Sequence, residues 1–178
     1  MINALELQTR STLVAPDTLR IQRLLPGPAT RIFAYLADGN LRRQWLASGD
    51  LPSEIGAPFT LTWRNDELSG GSEHRPEGFP EEHSAQCRLL EIDPPHRLAY
   101  SWGEIGTVTI DLEERGADVL LTLTHDRLPD DAGLRGNVFP GWHAHLDLLE
   151  AIAAGDQPPL LWPHWRALRT EYADSCGI

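Results

Sequence analysis

Two helical signatures bracket a long run of strand patterns, and that order constrains the fold more than any other feature of this chain. The first is Leu25-Pro-Gly-Pro-Ala-Thr-Arg-Ile-Phe-Ala-Tyr-Leu-Ala-Asp38. The second is Gly141-Trp-His-Ala-His-Leu-Asp-Leu-Leu-Glu-Ala-Ile152. A short helix pair, an antiparallel sheet and then one amphipathic helix point to an α+β molecule. In it a sheet curls around the terminal helix and leaves a cavity between them.

The local signals support that order. Thr18–Leu24 alternates Leu, Arg, Ile and Gln, a half-buried strand, and Pro26-Gly27-Pro28 ends it. Pro28 suits a first helical turn, where its missing N–H has no partner in any case. Ile32, Phe33 and Leu36 form the apolar face of that helix, and Leu41 and Trp45, four apart, predict a second short one. Phe59, Leu61 and Trp63 alternate with Thr60, Thr62 and Arg64, which predicts a strand with a large apolar face. Strands are predicted at Ser84–Ile92, Arg97–Trp102, Thr107–Glu113 and Val119–His125, joined by turns such as Gly103–Gly106 and Arg115–Asp118. Short connections in succession imply an antiparallel meander. Its inward sets are Leu98/Tyr100/Trp102, Val108/Ile110/Leu112 and Val119/Leu121/Leu123/His125.

Two segments read as loops. Residues 65–83 are long, polar and rich in Gly, Pro and Glu, with one apolar anchor at Phe79. Loops of this length in a compact domain are functional or mobile. Residues 126–140 hold Pro129, Gly133, Gly136 and Pro140, and the last core helix is predicted to begin after them at Gly141-Trp142. On that helix Trp142, Leu146, Leu149, Ile152 and Ala153 share a face, with His143, Asp147 and Glu150 opposite. The domain reading is a leader at 1–17 (flexible, or an extra edge strand), a core at 18–155 and a helical extension at 156–178. Trp162, Trp165 and Tyr172 would dock that extension onto the domain or onto a second subunit, which leaves a homodimer open.

Composition excludes several function classes. The 178 residues carry a formal charge of −11 and a pI near 5.0, and all 15 basic side chains are arginines. Nucleic acid and anionic lipid surfaces both need clustered positive charge, so neither is an expected partner. There is no apolar run of roughly 20 residues to span a bilayer, nor a basic region followed by an apolar core at the N-terminus, so cytoplasmic residence is the default expectation. Cys87 and Cys176 form no metal or disulfide motif, and Cys87 reads as a small buried hydrophobe.

The chain resembles the START-like (SRPBCC) superfamily, and within it the bacterial homologues of the heat-shock-protein ATPase activator. Four pieces carry the resemblance in order: Pro28…Ile32-Phe33…Leu36…Asp38, Leu41…Trp45, Leu90-Glu-Ile-Asp-Pro-Pro-His-Arg-Leu-Ala-Tyr-Ser-Trp102, and Gly141-Trp142…Leu146-Asp147…Leu149. It implies the helix-grip fold: a curved antiparallel sheet wrapped around a long C-terminal helix, with two short helices after the first strand. It also implies a cavity for a small apolar or amphipathic molecule. A cyclase or hydrolase activity and chaperone-ATPase regulation are the other roles known among such relatives.

The candidate ligand-binding residues are Trp45, Phe59, Trp63, Tyr100, Trp102, Val108, His125, Trp142, His145 and Leu149, with Phe79 as a lid. Tryptophan and tyrosine pair a large apolar body with a polar tip, which suits ligand recognition. His125 ends an otherwise apolar strand face, and His145 falls on the apolar side of the last helix, so these two are the weak candidates for acid–base catalysis. His143 and His145 lie on different helix faces and do not chelate as an i, i+4 pair would. His74 and His83 share the acidic loop without ligand spacing. No metal, cofactor or nucleophile motif is present.

Overall fold

A computed structural model describes residues 7–176. Strands β1 (Thr12–Ala15) and β2 (Thr18–Pro26) lead into helices α1 (Ala29–Ala37) and α2 (Gly39–Arg42). Strands β3 (Pro58–Trp63), β4 (His83–Asp93), β5 (Arg97–Trp102), β6 (Thr107–Arg115) and β7 (Asp118–Asp126) follow. Helices α3 (Ala132–Ala154) and α4 (Leu161–Cys176) complete the order. The strands form one antiparallel seven-stranded sheet in the order β1-β2-β7-β6-β5-β4-β3. It is the expected meander with β2 laid beside β7. The helix-grip architecture is therefore present.

The alternation read from the sequence is the alternation that buries. Leu19, Ile21 and Leu25 of β2, Leu98 and Tyr100 of β5, and Leu121, Leu123 and His125 of β7 are all buried on the face toward α3. Side chains two apart share a sheet face, so one apolar set per strand suffices to cover a helix. A register shift between Leu89 and Glu91 places a bulge in β4, and a bulge bends its strand. Asp38 caps α2 by accepting from the backbone N–H groups of Asn40 and Leu41, both at 2.9 Å. α2 is shorter than the Leu41/Trp45 spacing predicts, and Trp45 sits buried in the turns after it.

The largest difference from the sequence reading lies in the second expected loop. α3 begins at Ala132, so residues 132–140 are helix. Asp131 supplies the start, its carboxylate accepting from Leu134 N–H at 2.7 Å. Gly133, Gly136 and Pro140 read as breakers, yet Val138 and Phe139 between them are core residues. The burial of this turn outweighs weak helix propensity. Buried Arg135 adds side-chain bonds to the carbonyls of Pro129 and Pro16, both at 2.9 Å.

Candidate functional site

A cavity of about 470 Å³ opens beside the N-terminal half of α3. β3 supplies Trp63, β5 supplies Trp102, and the β5–β6 turn supplies Ile105. α3 lines it along one face with Leu134, Asn137, Val138, Gly141, Trp142 and His145, whose i, i+3, i+4, i+7 spacing defines a helical stripe. α4 adds Leu161, Trp162 and Trp165, and the 65–83 segment adds Asn65, Phe79 and the exposed rim residues Gly78, Pro80, Glu81 and His83. Five of the chain's six tryptophans line this one space.

The rings form two groups. Trp63 stacks on Trp102 at 5.1 Å between centroids and 16° between planes, and Trp102 stacks in turn on His125 at 5.4 Å. Trp142 meets Trp102 edge-on at 5.5 Å. On the other side Phe79 sits edge-on between Trp162 and Trp165, 5.2 Å from each. Offset and edge-on pairs are the favourable arrangements of aromatic quadrupoles, so both groups hold their shape without a ligand.

The second group is anchored by polar bonds. Trp162 donates from Nε1 to Asp66 Oδ1 and from its backbone N–H to Ser69 Oγ, both at 2.9 Å. Between Trp162 and Trp165 on α4, His164 Nε2 donates to Asp147 Oδ2 at 2.7 Å, and buried Arg23 holds the other Asp147 oxygen at 2.5 Å. Burial pushes the Asp147 carboxyl up, but the His164 bond, Arg23 and His143 outweigh it and hold the group below its ordinary value. Tyr172, also buried, accepts from Ser11 N–H at 2.7 Å and pairs with His143 Nδ1 at 2.9 Å. β1, β2, α3 and α4 are thereby tied together. Two segments that read as loop and extension become one wall.

The histidines differ in what they have left to offer. His125 is fully buried, with Nε2 donating to Ile105 O at 2.8 Å and Nδ1 accepting from Trp142 Nε1 at 3.1 Å. Both nitrogens are engaged, and the ring lies behind the wall rather than on it. His145 lines the cavity, and Nδ1 donates to Trp45 O at 2.7 Å. A carbonyl only accepts, so the proton is on Nδ1 and Nε2 keeps a lone pair. Burial lowers both histidines to about 4, which leaves them neutral at pH 7. Two further polar groups stand out: the Oδ1 atoms of Asn65 and Asn137 are buried without a hydrogen-bond partner. Among the described residues no group of histidine, cysteine and carboxylate side chains is arranged to hold a metal. Cys87 is buried, and desolvation pushes its thiol up to about 11, a packing residue rather than a nucleophile.

Of the residues singled out from the sequence, Trp63, Trp102, Trp142, His145 and Phe79 come together at the cavity. Trp45, Phe59, Tyr100, Val108, His125 and Leu149 are core residues away from its lining. Phe79 does not stand over an open mouth: it is wedged between two α4 rings. The sequence reading missed Asn137, Val138 and Gly141, because they fall where a loop or a helix start was expected. It gave Trp162 and Trp165 a docking role only, though they both dock α4 and line the cavity. The signal for them was present in the i, i+3 spacing of two tryptophans beside the apolar anchor Phe79.

Residues 26–154 match the family model described as Activator of Hsp90 ATPase homolog 1-like protein. Among solved structures, the protein encoded by gene BPP1335 of Bordetella parapertussis is 33% identical, with a TM-score of 0.75 over 92% of this chain and 88% of that one. CalU16 from Micromonospora echinospora is 22% identical, with a TM-score of 0.64 over 93% and 88% of the two chains. DynU16, described as a putative protein in the dynemicin biosynthetic locus, is 18% identical, with a TM-score of 0.61 over 81% of this chain and 49% of that one. The last two likenesses show the shared fold. No match was found among the curated proteins.

Proposed function

This chain belongs to the family of Activator of Hsp90 ATPase homolog 1-like proteins, and we propose that within it the protein carries or sequesters a small apolar or amphipathic molecule. The observation that supports this is the concentration of five of six tryptophans around one cavity of about 470 Å³, a size typical of small-molecule sites. Trp102 and the segment-borne Phe79 keep some exposure, while the rest of the aromatic wall is buried. Rings already packed against one another need little ordering when a ligand enters, which favours affinity.

Gly141 provides the test. It lines the cavity from the middle of α3, and an added Cβ there meets nothing within 4 Å. Purified protein is titrated with the neutral dye N-phenylnaphthylamine, following dye emission and tryptophan quenching. The wild type binds saturably. Gly141→Phe fills the space from an unstrained helical position and loses binding while keeping its melting temperature. Undiminished binding by a folded Gly141→Phe variant, or no dye binding by the wild type, overturns the proposal.

A further inference from the structure

The sheet ends in two edges, which differ in how they are finished. At β3, Ser48 exchanges two backbone hydrogen bonds with Thr62, both at 3.0 Å, and covers that edge. At the other end β1 has β2 as its neighbour in the sheet on one side and no strand among the described residues on the other. α4 reaches this edge at Ser11, whose N–H donates to the Tyr172 hydroxyl at 2.7 Å. Past that point Thr12, Leu13, Val14 and Ala15 are all exposed.

Alternate residues of an edge strand turn their N–H and C=O groups outward, a template for one more strand. Edges are commonly blunted by charged side chains or proline, and β1 reads Thr-Leu-Val-Ala, with neither inside it. Leu13 and Val14 are 40% and 39% exposed. Leu7, in the segment that continues β1 along β2, and Leu24 on β2 are exposed as well. Four of the seven exposed large apolar side chains among the described residues therefore fall at this end of the sheet. A register shift between Leu13 and Ala15 bends the strand, which keeps the open stretch short.

The flanks of the strand decide what pairs with it. Arg10 precedes it and Asp17 follows it, and both reach the surface. An antiparallel strand of the same sequence reverses that order. Centred on Leu13 or on Val14, self-pairing brings Arg10 of each copy within one residue of Asp17 of the other, twice by symmetry. Opposite charges facing each other across strands are favourable and like charges are not. A parallel copy would set Arg10 against Arg10 and Asp17 against Asp17.

We infer that β1 is a self-association edge, where two copies of this chain pair antiparallel through Thr12–Ala15, held in register by reciprocal Arg10–Asp17 contacts. The two sheets become one, and the two-fold axis normal to it leaves both grip helices on the same face. The inference is independent of what the cavity binds. The paired stretch is short and each chain carries a formal charge of −11, so the association is weak and concentration-dependent.

Sedimentation velocity of the whole protein, from about 10 µM to about 1 mM, should show monomer passing into dimer with a dissociation constant on the order of 100 µM. Leu13→Lys blunts the edge and should stay monomeric throughout, at an unchanged melting temperature. Charge reversal gives the specific readout. Arg10→Asp and Asp17→Arg each set like charges together and should be monomeric alone. An equimolar mixture of the two joins opposite charges at both contacts and should associate about tenfold more tightly than either variant by itself. Arg10 also bonds Glu171 at 3.0 Å. If Arg10→Asp fails to fold, cross-linking takes its place. In a Cys176→Ser background, Leu13→Cys or Val14→Cys should form an intermolecular disulfide about tenfold faster than Ile55→Cys, since a residue facing its own copy across strands suits that bond. A monomer at every concentration overturns the inference. So does a dimer that Leu13→Lys leaves intact, a mixture that gains nothing over its components, or cross-linking as fast at Ile55 as at the edge.

Discussion

His145 shows how one side chain is set by its surroundings. Its helix places it among Trp142, Leu146 and Leu149, its Nδ1–H is held by Trp45 O, and burial lowers its affinity for a proton. His125 and His143 are lowered by burial in the same way, each to about 4. In the unfolded chain these groups titrate near their ordinary value of 6.5. Between the two values the unfolded state binds more protons than the folded one, so stability is complete above about pH 6.5 and falls as the pH drops toward 4. At about 1.4 kcal/mol per unit, each histidine removes on the order of 3 kcal/mol over that window. Melting temperatures measured from pH 8 to 4 should be flat at first and then fall steeply. His145→Gln should flatten part of the decline, and an unchanged acid limb would refute the assignment. Gly141 makes a second residue-scale case. It sits in a helix with open space where a Cβ would stand. Gly141→Ala should therefore raise stability by about 0.5 to 1 kcal/mol in chemical denaturation, by lowering the entropy lost on folding.

At the level of elements, α4 and the 65–83 segment depend on each other. Phe79 is held by Trp162 and Trp165, and Trp162 is held by Asp66 and Ser69. Arg166 adds a bond to His74 O at 2.8 Å. Replacing Trp165 with alanine should cost about 3 kcal/mol and loosen both. The specific check is limited proteolysis, where cleavage within 65–82 should rise in Trp165→Ala before the rest of the chain is attacked. Protection equal to wild type would separate the two segments. The same end of α4 rests through His164 on Asp147, which neutralises Arg23, a side chain only 3% exposed. Asp147→Asn leaves that guanidinium with Glu150, whose carboxylate is 48% exposed, and should cost about 2 to 3 kcal/mol in denaturant unfolding. Arg23→Met in the same background should recover part of the loss.

For the whole molecule, sheet, grip helix and outer wall enclose one shared space, so a cavity ligand should stabilise all of them together. At a hundredfold excess over its dissociation constant a ligand adds about 2.7 kcal/mol, a rise of about 5 to 10 °C in melting temperature for a chain of this size. Tryptophan emission and far-ultraviolet circular dichroism should report the same shift. Separate transitions would mean that α4 and the 65–83 segment unfold independently of the sheet. No helix among the described residues is long and apolar enough to cross a membrane. The sequence by itself determined the sheet and the grip. Period-two apolar sets in β2 and β5–β7, short turns and the stripe from Trp142 to Ala153 depend on neighbours close in the chain, and such patterns are legible without coordinates. Tertiary structure decided the start of α3 and the make-up of the cavity. Gly133, Gly136 and Pro140 stay helical because distant core residues bury Val138 and Phe139. Whether a tryptophan packs the core, as Trp45 does, or lines a cavity, as Trp162 does, depends on which segment lies opposite it. Both are apolar rings at helical or turn spacing, and sequence distance carries no information about that partner.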